Sequence, residues 1–462
     1  MAESTSSVQV PDPYRLELVT SDGSRSEAVD NVLRAVALGF HLSQPSDAEL
    51  EHYAACVEGE QLWTIRQPDP DPEFPNLPVA TMDTYPSTIN TGHGHLEPAT
   101  FITDVTVRAS HRRRGLLRTL MTNTLTRSKE EGLAFAALTA TEGSIYGRFG
   151  YGISTRDQSV EIVVDGRFKL NHAPSGTVSM ADPLAIDDLR LKVFSEFHRA
   201  RRGSHNRQPW HVDYASGRWD PQKGGPNRRV RSIVHHNDDG EPDGVVSYQI
   251  DKDFGSQITI LDMVATTPDA EVALWEFLAS VDLIEMIKAP KVDPATPLPW
   301  AVEDPRVVKF TRHIDLGWLR ILDVKKAMAV RGWDHQGSVT FHVVDPMGYA
   351  EGTWQVDVEA PGAPRPSRRS TTPPTPRPLT WLHLDRCISE WAGDSRWPLP
   401  TALLALTSRS QRWTGCFPPS TSPITFRSSE APLRNVDQAS LPGPRCLIGV
   451  TDPRESTLTR WL

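Results

Sequence analysis

Between residues 101 and 154 the period of the apolar positions changes three times. Residues 101–108 are rich in β-branched and aromatic side chains and read as a strand. Residues 110–115 form a polar, basic turn that ends in a glycine. Leu116, Leu117, Leu120, Met121 and Leu125 then recur at helical spacing, predicting an amphipathic helix over about 116–130. Gly132 ends it, and residues 134–140 are an apolar run fit for a buried strand. Ahead of this stretch, residues 14–20 alternate as a strand. Residues 26–40 predict a helix opened by a serine cap, with Val29, Val32, Leu33, Val36 and Leu38 as its apolar side. Residues 46–57 predict a second helix, with Asp47 and Glu49 near its positive end. Strands are expected at 62–66 and 79–83, joined by a proline- and acid-rich loop. Further on, 185–198, 230–235, 244–250, 257–265 and 269–281 again offer strands and helices, so the chain reads as α/β (α+β).

Composition narrows the class. A chain of 462 residues has room for two to four domains. It contains no apolar run long enough to span a membrane and no visible secretory signal, and four cysteines are too few for a disulfide framework. A reducing cytoplasm is the default compartment. A formal net charge of −9 argues against a nucleic-acid partner. The one basic cluster outside the turn, Arg199, Arg201, Arg202 and Arg207, reads as a surface loop. Beyond residue 359 the character changes: Lys, Tyr and Met vanish, while prolines and arginines accumulate.

Strand, basic glycine turn, helix, strand is a phosphate-binding layout. Such a turn leaves backbone N–H groups unpaired at a helix N-terminus, where the dipole favours an anion, and Arg112, Arg113 and Arg114 add positive charge. No GxxxxGK[ST] or GxGxxG is present, which argues against a nucleoside-triphosphate loop and a dinucleotide fold. The run from Arg112 to Leu117 instead resembles the R/Q-x-x-G-x-G/A signature of the GNAT N-acetyltransferases, with Leu117 at a position usually small. VTVRASHRRRGLLR followed by SIYGRFGYG is similar to the Eis acetyltransferases of actinobacteria.

That resemblance implies an N-terminal GNAT domain (13–159), a second, degenerate GNAT-like domain (160–293), and the start of an incomplete C-terminal sterol-carrier-like domain (294–359). Residues 360–462 form an atypical Arg/Pro-rich tail that reads as a shifted frame near codon 360. In the neighbouring frame, codons permitted over 380–391 encode Leu-Gly-Ser-Leu-Tyr-Leu-Gly, a stretch expected of the family near its end. The implied activity is acetyl transfer from acetyl-CoA to a small-molecule or protein primary amine (aminoglycosides, polyamines or lysine side chains), without a metal. A homohexamer is implied if the third domain is intact. The alternative is a non-catalytic CoA- or ligand-binding protein. By the same comparison Val105, Thr106 and Val107 offer backbone contacts to the pantetheine arm. Arg113, Arg114, Gly115, Leu116, Leu117 and Arg118 hold the phosphates, and Thr141 and Glu142 line the far side of the cleft. Tyr146 matches the family's general acid, while Tyr151 is a packing residue. Phe40 and His41 match the acceptor pocket. The family's base is a C-terminal carboxylate; here Leu462 supplies one without the family's aromatic ending.

Overall fold

The computed structural model describes residues 9–69, 71–359 and the backbone of a strand at 364–368. Apart from that strand, the Arg/Pro-rich tail, with its proposed frameshift and Leu462, lies outside the described residues. Strand β1 (Arg15–Thr20) leads into α1 (Glu27–Gly39), whose cap Ser26 accepts from the Val29 N–H. Helix α2 (Asp47–Cys56) opens on a full capping box between Ser46 and Glu49. Strands β2 (Gln61–Arg66), β3 (Ala80–Gly92) and β4 (His95–Val107) follow, then α3 (Leu116–Glu130) and β5 (Phe135–Thr139). The one-turn helix α4 (Gly143–Tyr146) and the short β6 (Gly152–Ile153) complete this part. All ladders are antiparallel except β4–β5, which is parallel and spanned by α3. Leu116, Leu120, Met121 and Leu125 seat α3 on Met82, Ile102, Ala136 and Leu138 of the sheet. Each such side chain, fully buried, contributes about 1.5–3 kcal/mol of apolar transfer.

A second sheet repeats the plan. Its elements are β7 (Arg156–Val163), β8 (Thr177–Ala181), α5 (Asp187–Ala200), α6 (Trp210–Ser216), β9 (Val230–His236), β10 (Pro242–Ile250), β11 (Gln257–Ala265), α7 (Pro268–Ala279) and β12 (Met286–Val292). Here β11 and β12 are the parallel pair, with α7 between them. After α8 (Leu298–Ala301), β13 (Val308–Asp315) pairs with β7. Strand β14 (Gly317–Ile321) then returns to the first sheet, between β5 and β6. Residues 308–321, expected to open the third domain, are therefore strands of the two preceding sheets. The arginines of the basic cluster are engaged: Arg201 pairs with Asp293, Arg202 with Asp334, and Arg207 with Asp262. Helix α9 (Val324–Val330) and strands β15 (Gly337–Val343), β16 (Gly352–Val358) and β17 (Pro364–Arg368) close the described chain, the last three forming one small sheet.

One buried ion pair ties this small sheet's approach to the first sheet. Arg320 of β14 donates from Nη2 to both oxygens of Asp345, at 2.9 and 2.7 Å, with both side chains fully buried. Asp345 also accepts from the Met347 and Ala350 N–H groups. Burial acts to raise its pKa, but the guanidinium and these donors outweigh it and hold the carboxyl below its ordinary value. Gly150 (φ +81) lies directly over Arg320, where a Cβ would be 2.6 Å from Nη1. Arg320→Met leaves the Asp345 charge buried without its partner and is expected to destabilise the protein by about 3–5 kcal/mol. Urea unfolding of the two proteins measures this; a loss under about 1 kcal/mol means the carboxylate finds another partner.

Candidate active site

The N-terminus of α3 is bare. Gly115, its cap, is left-handed (φ 82) and provides no side-chain cap, and the first turn holds no acidic residue. The first intrahelical donor recorded there is the Thr119 N–H, to the Gly115 carbonyl. The N–H groups of Leu116, Leu117 and Arg118 thus have no partner within the helix and face outward with its dipole. A Cβ on Gly115 would meet only Pro11, at 3.4 Å, so the space above the turn is open. Arg113 also takes a left-handed backbone (φ 65), which shapes the turn. Arg113 and Arg118 are exposed. Arg114 is anchored instead: it donates to the Tyr14 hydroxyl at 2.6 Å and to the Ser110 carbonyl at 3.1 Å. Leu116 is a core residue and Leu117 is partly buried, so both can offer an anion only their N–H groups.

The corresponding helix of the second sheet is built the opposite way. Thr267 caps α7 by accepting from the Ala270 N–H, Pro268 removes a donor, and Asp269 and Glu271 occupy the first turn. Two carboxylates at a helix N-terminus repel an anion that Gly115 and its arginines would attract. One half of the fold therefore offers an open anion-binding turn and the other does not.

Beside the open turn, β4 parts from β5. Their parallel ladder runs from Ala99–Phe135 to Ile102–Leu138 and stops there, while β4 continues to Val107 paired only with β3. A bulge accompanies the parting: Asp104 and Val105 face the single residue Met82, and Asp104 is left-handed (φ 50). Val105 and Val107 pack their side chains on the core around α3, leaving their backbone to line the gap. Thr106 is buried, its hydroxyl 2.7 Å from that of Thr81.

Past β5, Thr141 and Glu142 are exposed and lead into α4, which ends at Tyr146. Tyr146 is 6 % exposed. Burial, and then the Glu142 charge, push its phenol up to about 12, so it is protonated at neutral pH. Tyr151 packs edge-on to it at 6.1 Å, fully buried and with a hydroxyl that has no partner among the described residues. At the other side of the gap, α1 ends against β4: a Cβ on Gly39 would lie 2.5 Å from the Thr106 Cβ. Phe40 is half-buried there, and His41 is exposed with a left-handed backbone (φ 60). The fold thus brings the α3 turn, the end of β4 and the end of α1 to the carboxyl end of the β4–β5 pair, where open α/β sheets bind ligands.

A group that the sequence reading missed lies on the same side. The Tyr53 hydroxyl of α2 donates to Asp83 Oδ2 at 2.7 Å, and Asp83 interacts with Asp104. Glu60, just before β2, joins them and accepts from Gln208 at 2.8 Å. Burial pushes all three carboxyls up: Glu60 to about 7, Asp104 to about 6, and Asp83 well above the carboxylate range. A signal was available, since Asp83 and Asp104 interrupt strand-like runs from which aspartate is normally depleted.

Two GNAT units and one open anion turn define an acetyltransferase, and comparison with known proteins agrees. The acetyltransferase (GNAT) domain family matches residues 23–154, and a second GNAT family matches residues 203–321. An uncharacterized N-acetyltransferase of Streptomyces avermitilis is 33% identical over 298 residues, covering 62% of this chain and 70% of that protein. N-acetyltransferase Eis of Mycobacterium tuberculosis is 33% identical over 253 residues, or 52% of this chain and 59% of Eis. In fold, Eis1 of Mycobacterium abscessus aligns with a TM-score of 0.64 at 23% identity, covering 78% of this chain and 86% of that one. The chain belongs to the GNAT N-acetyltransferases.

Proposed function

We propose that this enzyme transfers the acetyl group of acetyl-CoA directly to a primary amine, as on an aminoglycoside, a polyamine or a lysine side chain. The observation that carries the reading is the uncapped Gly115 turn opening beside the parted end of β4. The N–H groups of Leu116, Leu117 and Arg118, with Arg113 and Arg118, would hold the pyrophosphate, and Arg114 would brace the turn through Tyr14. The backbone of Val105, Thr106 and Val107 would receive the pantetheine arm as an added strand, with Thr141 and Glu142 opposite. Phe40 and His41 would line the acceptor's entry. Tyr146 would give its proton to the leaving sulfur as the C–S bond breaks.

The test is release of CoA thiol from acetyl-CoA, with and without kanamycin, followed by a thiol reagent. Acceptor-dependent release is expected. Acetyl-CoA that binds but yields no thiol with kanamycin, spermine or a lysine peptide would instead favour a non-catalytic CoA-binding protein.

A further inference from the structure

Acetyl transfer needs the acceptor amine neutral; the base implied by the family resemblance, the carboxylate of Leu462, lies outside the described residues, and the described residues named so far supply a proton but do not remove one. Asp104 sits one residue ahead of Val105–Val107, on the bulge where β4 leaves β5. Its carbonyl accepts from the Thr81 hydroxyl at 2.8 Å, which pins the bulge in place. The same Thr81 hydroxyl contacts Thr106, which packs against Gly39 at the end of α1, so this side of β4 is the acceptor side. Asp104 is partly exposed, whereas Asp83 behind it is fully buried. Asp83 Oδ2 is taken by Tyr53, and Oδ1 has no donor among the other described residues. Glu60 is 5 % exposed and its Oε2 has no donor among the described residues. Buried carboxylate oxygens without donors are costly unless a proton or a cation reaches them.

We propose that Asp104 is the base that takes a proton from the acceptor ammonium, and that Asp83, braced by Tyr53, is its positioning residue. The proposal rests on the acetyl-transfer reading above. Asp83 keeps its proton, because burial and the Asp104 charge disfavour its anion, and it donates that proton towards Asp104. Asp104 is thereby the member of the pair that carries the charge. The ammonium R–NH3+ gives one proton to Asp104 and the neutral amine attacks the thioester carbon. The C–N bond forms, the C–S bond breaks, and the sulfur takes the proton of Tyr146. The second nitrogen proton restores the Tyr146 phenol, the third stays on the amide, and Asp104 releases its proton to water. Glu60 adds negative potential on the same wall only as it ionises at higher pH, which then suits a cationic acceptor.

The groups facing Asp104 are Glu60 ahead of β2, Asp83 and Tyr85 on β3, and Tyr53 on α2. A base whose pKa is raised to about 6 makes kcat/KM climb as pH rises through that value. Turnover of the full chain with acetyl-CoA and kanamycin should show this acidic limb. Asp104→Asn should remove the limb and lower kcat/KM by roughly 10²-fold or more, with acetyl-CoA affinity unchanged. Asp83→Asn, which keeps a donor towards Asp104, should lose less than Asp83→Leu, in which the limb moves to higher pH. An Asp104→Asn enzyme with the wild-type limb and rate overturns the proposal. If wild type releases no thiol with any amine, the acetyl-transfer reading fails by itself. The base assignment is then read by calorimetric titration of kanamycin near pH 6 in two buffers of different ionisation enthalpy. Proton release on binding in wild type and none in Asp104→Asn supports it; equal release in both overturns it.

Discussion

Tyr146→Phe is expected to lower kcat for amine acetylation by roughly 10²–10⁴-fold while acetyl-CoA binds as before. The reason lies in timing. Burial and Glu142 place the phenol at about 12, above the ordinary thiol range, so a free thiolate would not take its proton. Transfer becomes favourable only while the C–S bond breaks and the acidic N–H of the tetrahedral adduct refills the phenol. The contact is therefore made in the transition state and not in the ground state, which places the whole loss in kcat. Tyr151→Phe is the control. Its hydroxyl is buried without a partner among the described residues, so removing it is expected to cost neither rate nor stability. Single-turnover rates and acetyl-CoA titration of both variants decide the matter. Equal, near-wild-type kcat in the two would remove Tyr146 from the mechanism.

The local order of the first GNAT half was readable because each signal sat within a few residues. The α3 bounds follow from Gly115, five apolar positions at helical spacing and Gly132. The α1 and α2 starts follow from Ser26 and Ser46, whose side chains do cap. What escaped notice depends on distant partners. Strand β3 runs to Gly92, well beyond residue 83, through polar residues that look like loop. Those residues are satisfied from the second half: Asn90 donates to the carbonyls of His198 and Arg199, and Thr88 meets the His198 ring at 2.9 Å. Strand β14 enters the first sheet from more than 160 residues after β6 begins, a pairing no local period announces. The site divides the same way. The anion turn is contiguous in sequence, so its residues could be named. The Tyr53–Asp83–Asp104–Glu60 group is gathered from one helix, one loop and two strands, and only the fold assembles it.

Gly115→Val is expected to abolish measurable acetyl-CoA binding in a protein that still folds. Gly115 combines a left-handed backbone with an open face towards the position assigned to the pyrophosphate. A branched side chain there would stand between the phosphates and the N–H groups of Leu116 and Leu117. Losing two hydrogen bonds to a charged group costs about 3 kcal/mol or more, at least roughly 10²-fold in Kd. The backbone penalty must be separated from this, since a β-branched residue at positive φ is strained wherever it sits. Gly132, at the other end of the same helix, supplies that control: its φ is +76 and a Cβ there meets nothing within 4 Å. Gly132→Val should therefore lose a comparable amount of stability in thermal unfolding and keep its affinity for acetyl-CoA. If calorimetry gives Gly115→Val the affinity of Gly132→Val, the α3 turn does not hold the pyrophosphate. If both variants lose binding, strain in α3 rather than occlusion of its N-terminus is responsible.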